Sequence, residues 1–83
     1  MVFGTIQRAA LLASIKNYSA GVDKYERKFP NTWNIGMLES YNSKLFKCLA
    51  KAKRIGLPKH VIMESIKKKL PNASSVHNII NRF

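Results

Sequence analysis

Apolar residues recur along most of this chain at the spacing of an α-helix, and no stretch alternates in the manner of a β-strand. The first repeat runs from about Thr5 to Lys28, and its apolar positions alternate intervals of four and three: Leu11, Ile15, Tyr18, Val22, Tyr25 and Phe29. This pattern predicts an amphipathic helix within residues 1–29, ended by Pro30, because the residue before a proline avoids helical geometry. Gly21 weakens the middle of that helix by about 1 kcal/mol relative to alanine, which indicates a bend or an early end there.

Residues Pro30 to Gly36 predict a connector whose large side chains, Trp33 and Ile35, fold back onto the core. In the alternative interpretation Trp33 is exposed and stacks on a nucleic-acid base. We favour the first interpretation, because so small a domain needs each of its large side chains in the core.

The second predicted helix begins at Met37 or at Asn42 and ends at Arg54. Asn42 and Ser43 are suitable N-caps, because their side-chain oxygens accept hydrogen bonds from the free amides of a first turn. Gly56 fits the end, since glycine adopts left-handed geometry without steric cost. One face of this helix is apolar: Leu38, Tyr41, Leu45, Leu49 and Ala52. The opposite face is basic: Lys44, Lys47, Lys51 and Arg54.

The third predicted helix runs from Pro58 to Lys69, because proline suits the first helical position. The fourth runs from Ser74 or Ser75, either of which would cap it, to Phe83. The buried side of the third helix consists of Val61, Ile62, Ile66 and Leu70. That of the fourth consists of Val76, Ile79, Ile80 and Phe83.

These segments predict an all-α protein, a small bundle of three to four helices. The 83 residues suffice for a single basic domain over 1–83, with an N-terminal helix in 1–29 and a helical module in 37–83. Hydrophobic residues make up 46% of the chain, which argues against disorder.

The net charge of the chain limits the possible classes of function more than any other property does. Fifteen Lys and Arg face four acids, for a formal net charge of +11. This excess favours a polyanionic partner, because like charges repel one another in a compact fold. The densest part lies between Lys44 and Lys69, where nine basic residues face Glu64 alone. We predict that these nine bind nucleic acid: Lys44, Lys47, Lys51, Lys53, Arg54, Lys59, Lys67, Lys68 and Lys69.

The alternative for this basic stretch is a solvated helix face, although such faces usually mix charges of both signs. Lysines outnumber arginines here, which favours contact with phosphates over bidentate recognition of base edges. The expected recognition is therefore of backbone or shape rather than of sequence.

Catalysis and metal binding find little support in the residue types present. Asp23 and Glu26 lie three apart beside basic residues, so surface ion pairs explain them better than acid–base chemistry. His60 and His77 fall on different predicted helices without a Cys or Asp at metal-ligand spacing. Cys48 is the only cysteine, which excludes an internal disulfide, and it is expected to be a half-buried structural thiol. We predict no enzyme activity, no metal and no cofactor.

Residues 1–22 contain Arg8 and Lys16 and no acid, a composition that suits an amphipathic mitochondrial import sequence. A plain basic amphipathic helix accounts for it equally well. No apolar run approaches the ~20 residues that a membrane-spanning helix needs. Mitochondrial localisation is the prediction, with the cytoplasm as the alternative.

From Asn42 to Lys69 the chain reads NSKLFKCLAKAKRIGLPKHVIMESIKKK, and this stretch resembles the N-terminal helical segment of the YebC-like translation-factor family. The matching positions are Asn42, Leu45, Leu49, Lys51, Ala52, Lys53, Leu57, Pro58, Lys59, Ile62, Ser65, Ile66, Lys67 and Lys68. Leu57 and Ser65 stand where the family has Met and Ala. Mitochondrial members of the family are translational activators of cytochrome oxidase subunit I. The resemblance therefore implies a role in translation, with RNA and the ribosome as partners.

Three functions remain open from the sequence. The first is a non-catalytic helical module that binds RNA or the ribosome through its Lys-rich face in mitochondrial translation. The second is a small structural accessory subunit of a mitochondrial membrane complex or a ribosome, docked on other protein subunits through the N-terminal helix. The third, ranked last, is a protein of the membrane surface that uses residues 2–28 as an interfacial helix.

Overall fold

Four helices make up almost all of the chain that the structure, a computed structural model, describes: residues 2–27 and 35–83, with side chains described for 6–26 and 35–83. The helices are α1 (Val2–Arg27), α2 (Ile35–Ile55), α3 (Lys59–Lys69) and α4 (Ser74–Asn81). The described ranges contain no strand. The prediction of an all-α bundle of three to four helices is confirmed.

The helices α1 and α2 lie side by side and run antiparallel. Arg8, near the start of α1, lies beside Gly56 at the end of α2, whereas Gly21 lies against Tyr41. With 26 residues, α1 is about 39 Å long at the usual rise per residue. It sets the long dimension of a molecule that measures 45 × 22 × 19 Å. The helices α3 and α4 pack on each other and on α1, while α2 and α3 make little contact beyond the turn that joins them.

The core consists mainly of the apolar side chains that the helical periodicity predicted. One cluster joins buried residues from all four helices: Leu11, Ile15, Val22, Leu45, Leu49, Ala52, Leu57, Ile62, Ile66, Ala73, Val76 and Ile80. Each Val, Leu or Ile side chain buried in this way contributes about 1.5–3 kcal/mol relative to an exposed one. The apolar stripe of α1 is therefore used inside the domain, with Tyr18 and Tyr25 half-buried at its edge.

The start of α2 differs from the prediction. The helix begins at Ile35, so Asn42 and Ser43 lie inside it and do not cap it. Ile35 was expected to pack on the core, but it is 50% exposed. The expected bend or end at Gly21 is also absent, because α1 continues through this residue to Arg27.

The start of α3 differs from the prediction by one residue, whereas α4 begins at Ser74, one of the two predicted positions. Pro58 precedes the first helical residue of α3, with φ −64° and ψ 141°. Ala73 occupies the N-cap position of α4 without a side-chain hydrogen bond, so neither predicted serine is the cap. Phe83 lies beyond the end of α4 and is 36% exposed. Three residues with sequence predictions lie outside the described ranges: Phe29, Pro30 and Trp33.

A tight turn ends α2 and directs the chain into α3. The amide of Gly56 donates to the carbonyl oxygen of Lys53 at 3.3 Å, and the amide of Leu57 donates to that of Ala52 at 2.9 Å. This pair of bonds satisfies carbonyl groups that a helix end leaves unpaired, and it places a left-handed residue just after the helix. Gly56 accordingly has a φ of 79°. Leu57 is buried directly after it, so the turn also anchors the start of α3.

We expect Gly56→Ala to lower the free energy of unfolding by about 1 kcal/mol, because a residue with a Cβ is strained at this φ. The cost comes from the backbone conformation, since, apart from the chain neighbours of Gly56, the nearest described heavy atom to an added Cβ is Arg8 Nη2 at 4.0 Å. Gly56→Asn should cost less, because asparagine tolerates left-handed geometry better than alanine. Chemical denaturation followed by circular dichroism measures both variants. Unchanged stability in Gly56→Ala would contradict the left-handed turn.

Other elements hold both ends of α4, which has only eight residues and needs packing to persist. At its start, the Ser75 hydroxyl donates to Glu26 Oε1 of α1 at 2.5 Å. At its end, the Lys59 ammonium donates to the carbonyl oxygen of Asn81 at 2.7 Å. A carboxylate near the start of a helix and an ammonium near its end both complement the helix dipole. The short helix therefore depends on charged groups of α1 and α3 as well as on apolar contacts.

Candidate nucleic-acid interface

All nine basic residues predicted to bind nucleic acid are exposed: Lys44, Lys47, Lys51, Lys53, Arg54, Lys59, Lys67, Lys68 and Lys69. Within the described residues, no carboxylate lies at salt-bridge distance from any of them. Their charge is therefore not neutralised by acidic groups in that part of the chain. Seven of them form two groups. We call Lys44, Lys47, Lys51 and Arg54 the α2 row. We call Lys67, Lys68 and Lys69 the α3 triplet.

Two members of the α2 row lie beside α1. Lys47 and Lys51 border a depression of about 340 Å³ between the two helices, together with Gln7 and Ser14 of α1. The two lysines are one helical turn apart, which brings their Cβ atoms to within about 5–6 Å. The depression thus combines two cations with an amide and a hydroxyl that can form hydrogen bonds.

A tyrosine cluster lies under the first member of the α2 row. The Lys44 ammonium lies 5.9 Å from the ring centroid of Tyr18 and 5.8 Å from that of Tyr41, a range in which cation–π attraction operates. Tyr41 in turn stacks on Tyr25, with ring centroids 5.6 Å apart. The sequence assigned these tyrosines to apolar faces and missed their contact with Lys44. Only the register between α1 and α2 reveals it.

Lys53 does not share the side of α2 that carries Lys47 and Lys51. Residues two apart on a helix point about 200° away from each other, so Lys51 and Lys53 face different directions. Lys53 instead borders an apolar groove, together with Lys59 and Phe83. From the sequence, all nine cations were expected to form one binding set. The structure separates Lys53 and Lys59 from the α2 row.

The α3 triplet surrounds the last turn of its helix, because consecutive residues differ by about 100° in direction. The helix has 11 residues, so its end lies about 16 Å from its start, at 1.5 Å per residue. Since α2 and α3 make little contact beyond their turn, the triplet forms a second cationic group rather than a continuation of the α2 row. A long polyanion is needed to contact both groups at once.

The surroundings of Cys48, His60 and His77 do not indicate a catalytic role for these side chains. Cys48 is half-buried, as predicted. Burial raises the pKa of its thiol, and the nearby Lys51 ammonium offsets only part of that rise. The thiol is therefore a weak nucleophile near neutral pH. His60 is exposed, and His77 Nε2 lies 2.9 Å from the carbonyl oxygen of Leu70, a hydrogen-bond distance.

The described part of the chain contains no group of three His, Cys, Asp or Glu side chains placed to hold a metal ion. Among the helices formed by residues 2–27 and 35–83, none has the length and apolar composition that crossing a bilayer requires. Comparison of the chain with protein-family models, with curated proteins and with solved structures finds no match. The basis for a function is therefore the arrangement of charged and apolar side chains described above.

Proposed function

We propose that this domain binds RNA through the α2 row and the α3 triplet. The observation that carries the proposal is the exposure of these cations together with the lack of a carboxylate partner within the described residues. A net charge of +11 makes the folded domain self-repulsive. Contact with phosphates relieves this repulsion and releases counterions from the nucleic acid, which favours binding.

The chemistry of the interface favours recognition of the RNA backbone. Six of the seven cations in the two groups are lysines, which act as point charges on phosphates rather than as planar readers of base edges. Gln7 and Ser14 border the depression beside Lys47 and Lys51. Their polar groups can hydrogen-bond a ribose 2′-hydroxyl, the group by which proteins distinguish RNA from DNA.

The proposed setting is mitochondrial translation, with RNA or the ribosome as the partner. This setting rests on the resemblance of residues 42–69 to YebC-like translation factors and on the basic, acid-free composition of residues 1–22. The proposed role is that of a binding module without catalytic activity. Lys53 and Lys59 border a separate groove, so we expect them to contribute less to RNA affinity than the α2 row does.

Salt dependence tests this proposal directly. We expect the affinity for a fluorescent single-stranded RNA to fall roughly 300-fold between 50 and 200 mM salt if about six phosphates are contacted, because each phosphate on a single strand contributes about −0.7 to the slope. Fluorescence anisotropy at several salt concentrations measures the slope. The triple variant Lys47→Gln/Lys51→Gln/Arg54→Gln should reduce the magnitude of that slope by roughly two, since each lost phosphate contact removes about 0.7.

A matched control removes the same charge elsewhere. The variant Arg8→Gln/Lys16→Gln/Arg82→Gln has the same net charge as the α2-row variant but retains the row. It should keep most of the wild-type slope. Equal losses in the two variants would show binding by net charge alone, and an affinity that is flat with salt would refute phosphate contact altogether. A DNA strand of the same sequence, bound more weakly than the RNA, would support contact with the 2′-hydroxyl.

A structural accessory subunit is the second candidate, and exposed apolar side chains favour it. Ile6 is 64% exposed and Met37 is 44% exposed. Because the stripe of α1 lies in the domain's own core, contact with another subunit would need such outward-facing residues rather than the stripe. A chain that is monomeric in sedimentation analysis and unfolds in one cooperative thermal transition would count against this role.

A further inference from the structure

An apolar groove lies where the end of α2, the start of α3 and the end of α4 meet. Its volume is about 250 Å³, and most of its lining is aliphatic or aromatic: Leu49, Ala52, Leu57, Ile62, Ile80 and Phe83. The groove is open to solvent, although the side chains beneath it belong to the core. Concave apolar surface with a few polar groups at its edge is typical of binding sites.

Two phenylalanines extend the apolar surface at one edge of the groove. Phe46 of α2 is 43% exposed and stacks on Phe83, with ring centroids 5.8 Å apart. Aromatic side chains of this size bury 150–250 Å² each when fully covered. A partner that covers the exposed part of the pair therefore gains apolar contact beyond the groove itself.

Two ammonium groups border the groove, and none of the residues that line it is an Asp or a Glu. Lys53 approaches from α2, and Lys59 approaches from the first turn of α3. Lys59 uses one N–H donor on the carbonyl oxygen of Asn81, so two of its three donors remain for another acceptor. The complement of this surface is a bulky apolar group flanked by negative charge.

We infer that the groove docks an acidic amphipathic segment of a partner protein, with one Phe or Leu side chain in the groove and carboxylates on Lys53 and Lys59. Its volume lies below the 300–1,000 Å³ of most small-molecule sites and suits a single anchoring side chain. RNA fits the groove poorly, because its phosphates would lose water against an apolar floor. The groove is separate from the α2 row and does not depend on the proposal for RNA.

The test uses a synthetic peptide of about fifteen residues, long enough for a marginal helix. The probe carries one central Phe with Glu on both sides along the same helical face. Nuclear magnetic resonance of the full chain should show shifts of the Ile62 and Ile80 methyl groups on addition of the probe, with Ser14 and Cys48 amides unchanged. Replacing the probe's Phe with Ala should weaken binding more than roughly tenfold, the loss typical of a central anchor.

Charge reversal on the protein separates this site from general attraction to a basic surface. Lys53→Glu should weaken binding of the probe severalfold, whereas Lys47→Glu, on the same helix but at the other depression, should leave it nearly unchanged. For RNA the expected order is reversed, so Lys47→Glu should weaken RNA binding more than Lys53→Glu does. Circular dichroism verifies that both variants remain folded.

Several results would overturn the inference. They are a lack of binding, equal binding of the Phe and Ala probes, equal losses in Lys53→Glu and Lys47→Glu, and probe-induced shifts at the depression between α1 and α2. A probe with Gln in place of every Glu that binds as tightly as the acidic probe would also overturn it, because the two ammonium groups would then have no role. Shifts of the Ile62 and Ile80 methyl groups caused by RNA instead of the peptide would assign the groove to the nucleic-acid surface.

Discussion

Replacing Ile15 with alanine is expected to lower the free energy of unfolding by about 2–5 kcal/mol. Ile15 is fully buried on α1, the helix that contacts each of the other three. Its removal costs the transfer free energy of the lost methyl and methylene groups, and it leaves a cavity among close-packed neighbours. A domain of this length is stable by roughly 4–12 kcal/mol, so the loss is a large fraction of the total.

Ile6→Ala is the matched control, because it makes the same substitution on the same helix. Ile6 is 64% exposed, and its replacement should change stability by no more than about 0.5 kcal/mol. Urea denaturation followed by far-ultraviolet circular dichroism measures both variants. Similar effects at the two positions would mean that α1 does not face the core as described.

Gly21→Ala is expected to lower the free energy of unfolding by about 1–3 kcal/mol, even though alanine is the better helix former. A Cβ built at Gly21 lies 2.5 Å from Cδ1 and 2.6 Å from Cε1 of the Tyr41 ring. Movement of this ring away from α1 is restricted, because it stacks on Tyr25 and also lies against Tyr18. The steric cost therefore exceeds the gain of about 1 kcal/mol in helix propensity.

Gly36→Ala provides the contrast, since among the described residues no heavy atom other than those of its chain neighbours and its own helix backbone lies within 4 Å of a Cβ built there. It should leave stability unchanged or raise it by up to about 1 kcal/mol. In a Tyr41→Leu background, the cost of Gly21→Ala should shrink, because the two residues are in contact and their effects couple. A thermal transition of Gly21→Ala at or above that of the wild type would contradict the close packing of α1 on α2.

The sequence was sufficient to predict the four helices and most of the core. The spacing of Leu11, Ile15 and Val22 fixes one face of α1, and the same rule identifies Leu45 and Leu49 on α2. Periodicity succeeds here because it depends on helix geometry alone and needs no knowledge of the partner surface.

Helix starts were less predictable, because a good capping residue does not decide where a helix begins. Asn42 and Ser43 have the right chemistry, yet α2 begins at Ile35 and runs through both. In α4 the predicted start at Ser74 is correct, but Ala73 rather than either serine occupies the N-cap position. One of those serines, Ser75, instead donates to Glu26, a contact between distant parts of the chain that no local pattern contains.

The exposure of the nine predicted cations followed from the sequence, but their division into groups did not. The rotation of about 200° between Lys51 and Lys53 is implicit in the helix, and it could have been used to separate them. The contact of Lys44 with Tyr18 could not be found in this way. It depends on how α1 and α2 align along their length, which tertiary packing sets.

The contacts of Ser75 with Glu26 and of Lys59 with Asn81 couple the stability of α4 to residues of α1 and α3. Lys59 both donates to the carbonyl oxygen of Asn81, the last residue of α4, and borders the apolar groove. A carboxylate bound to the two remaining donors of Lys59 would hold this ammonium beside Asn81, so occupancy of the groove and fraying of the C-terminal turn of α4 would be thermodynamically coupled. The amide-exchange rates in the last turn of α4 should therefore change when the groove is occupied.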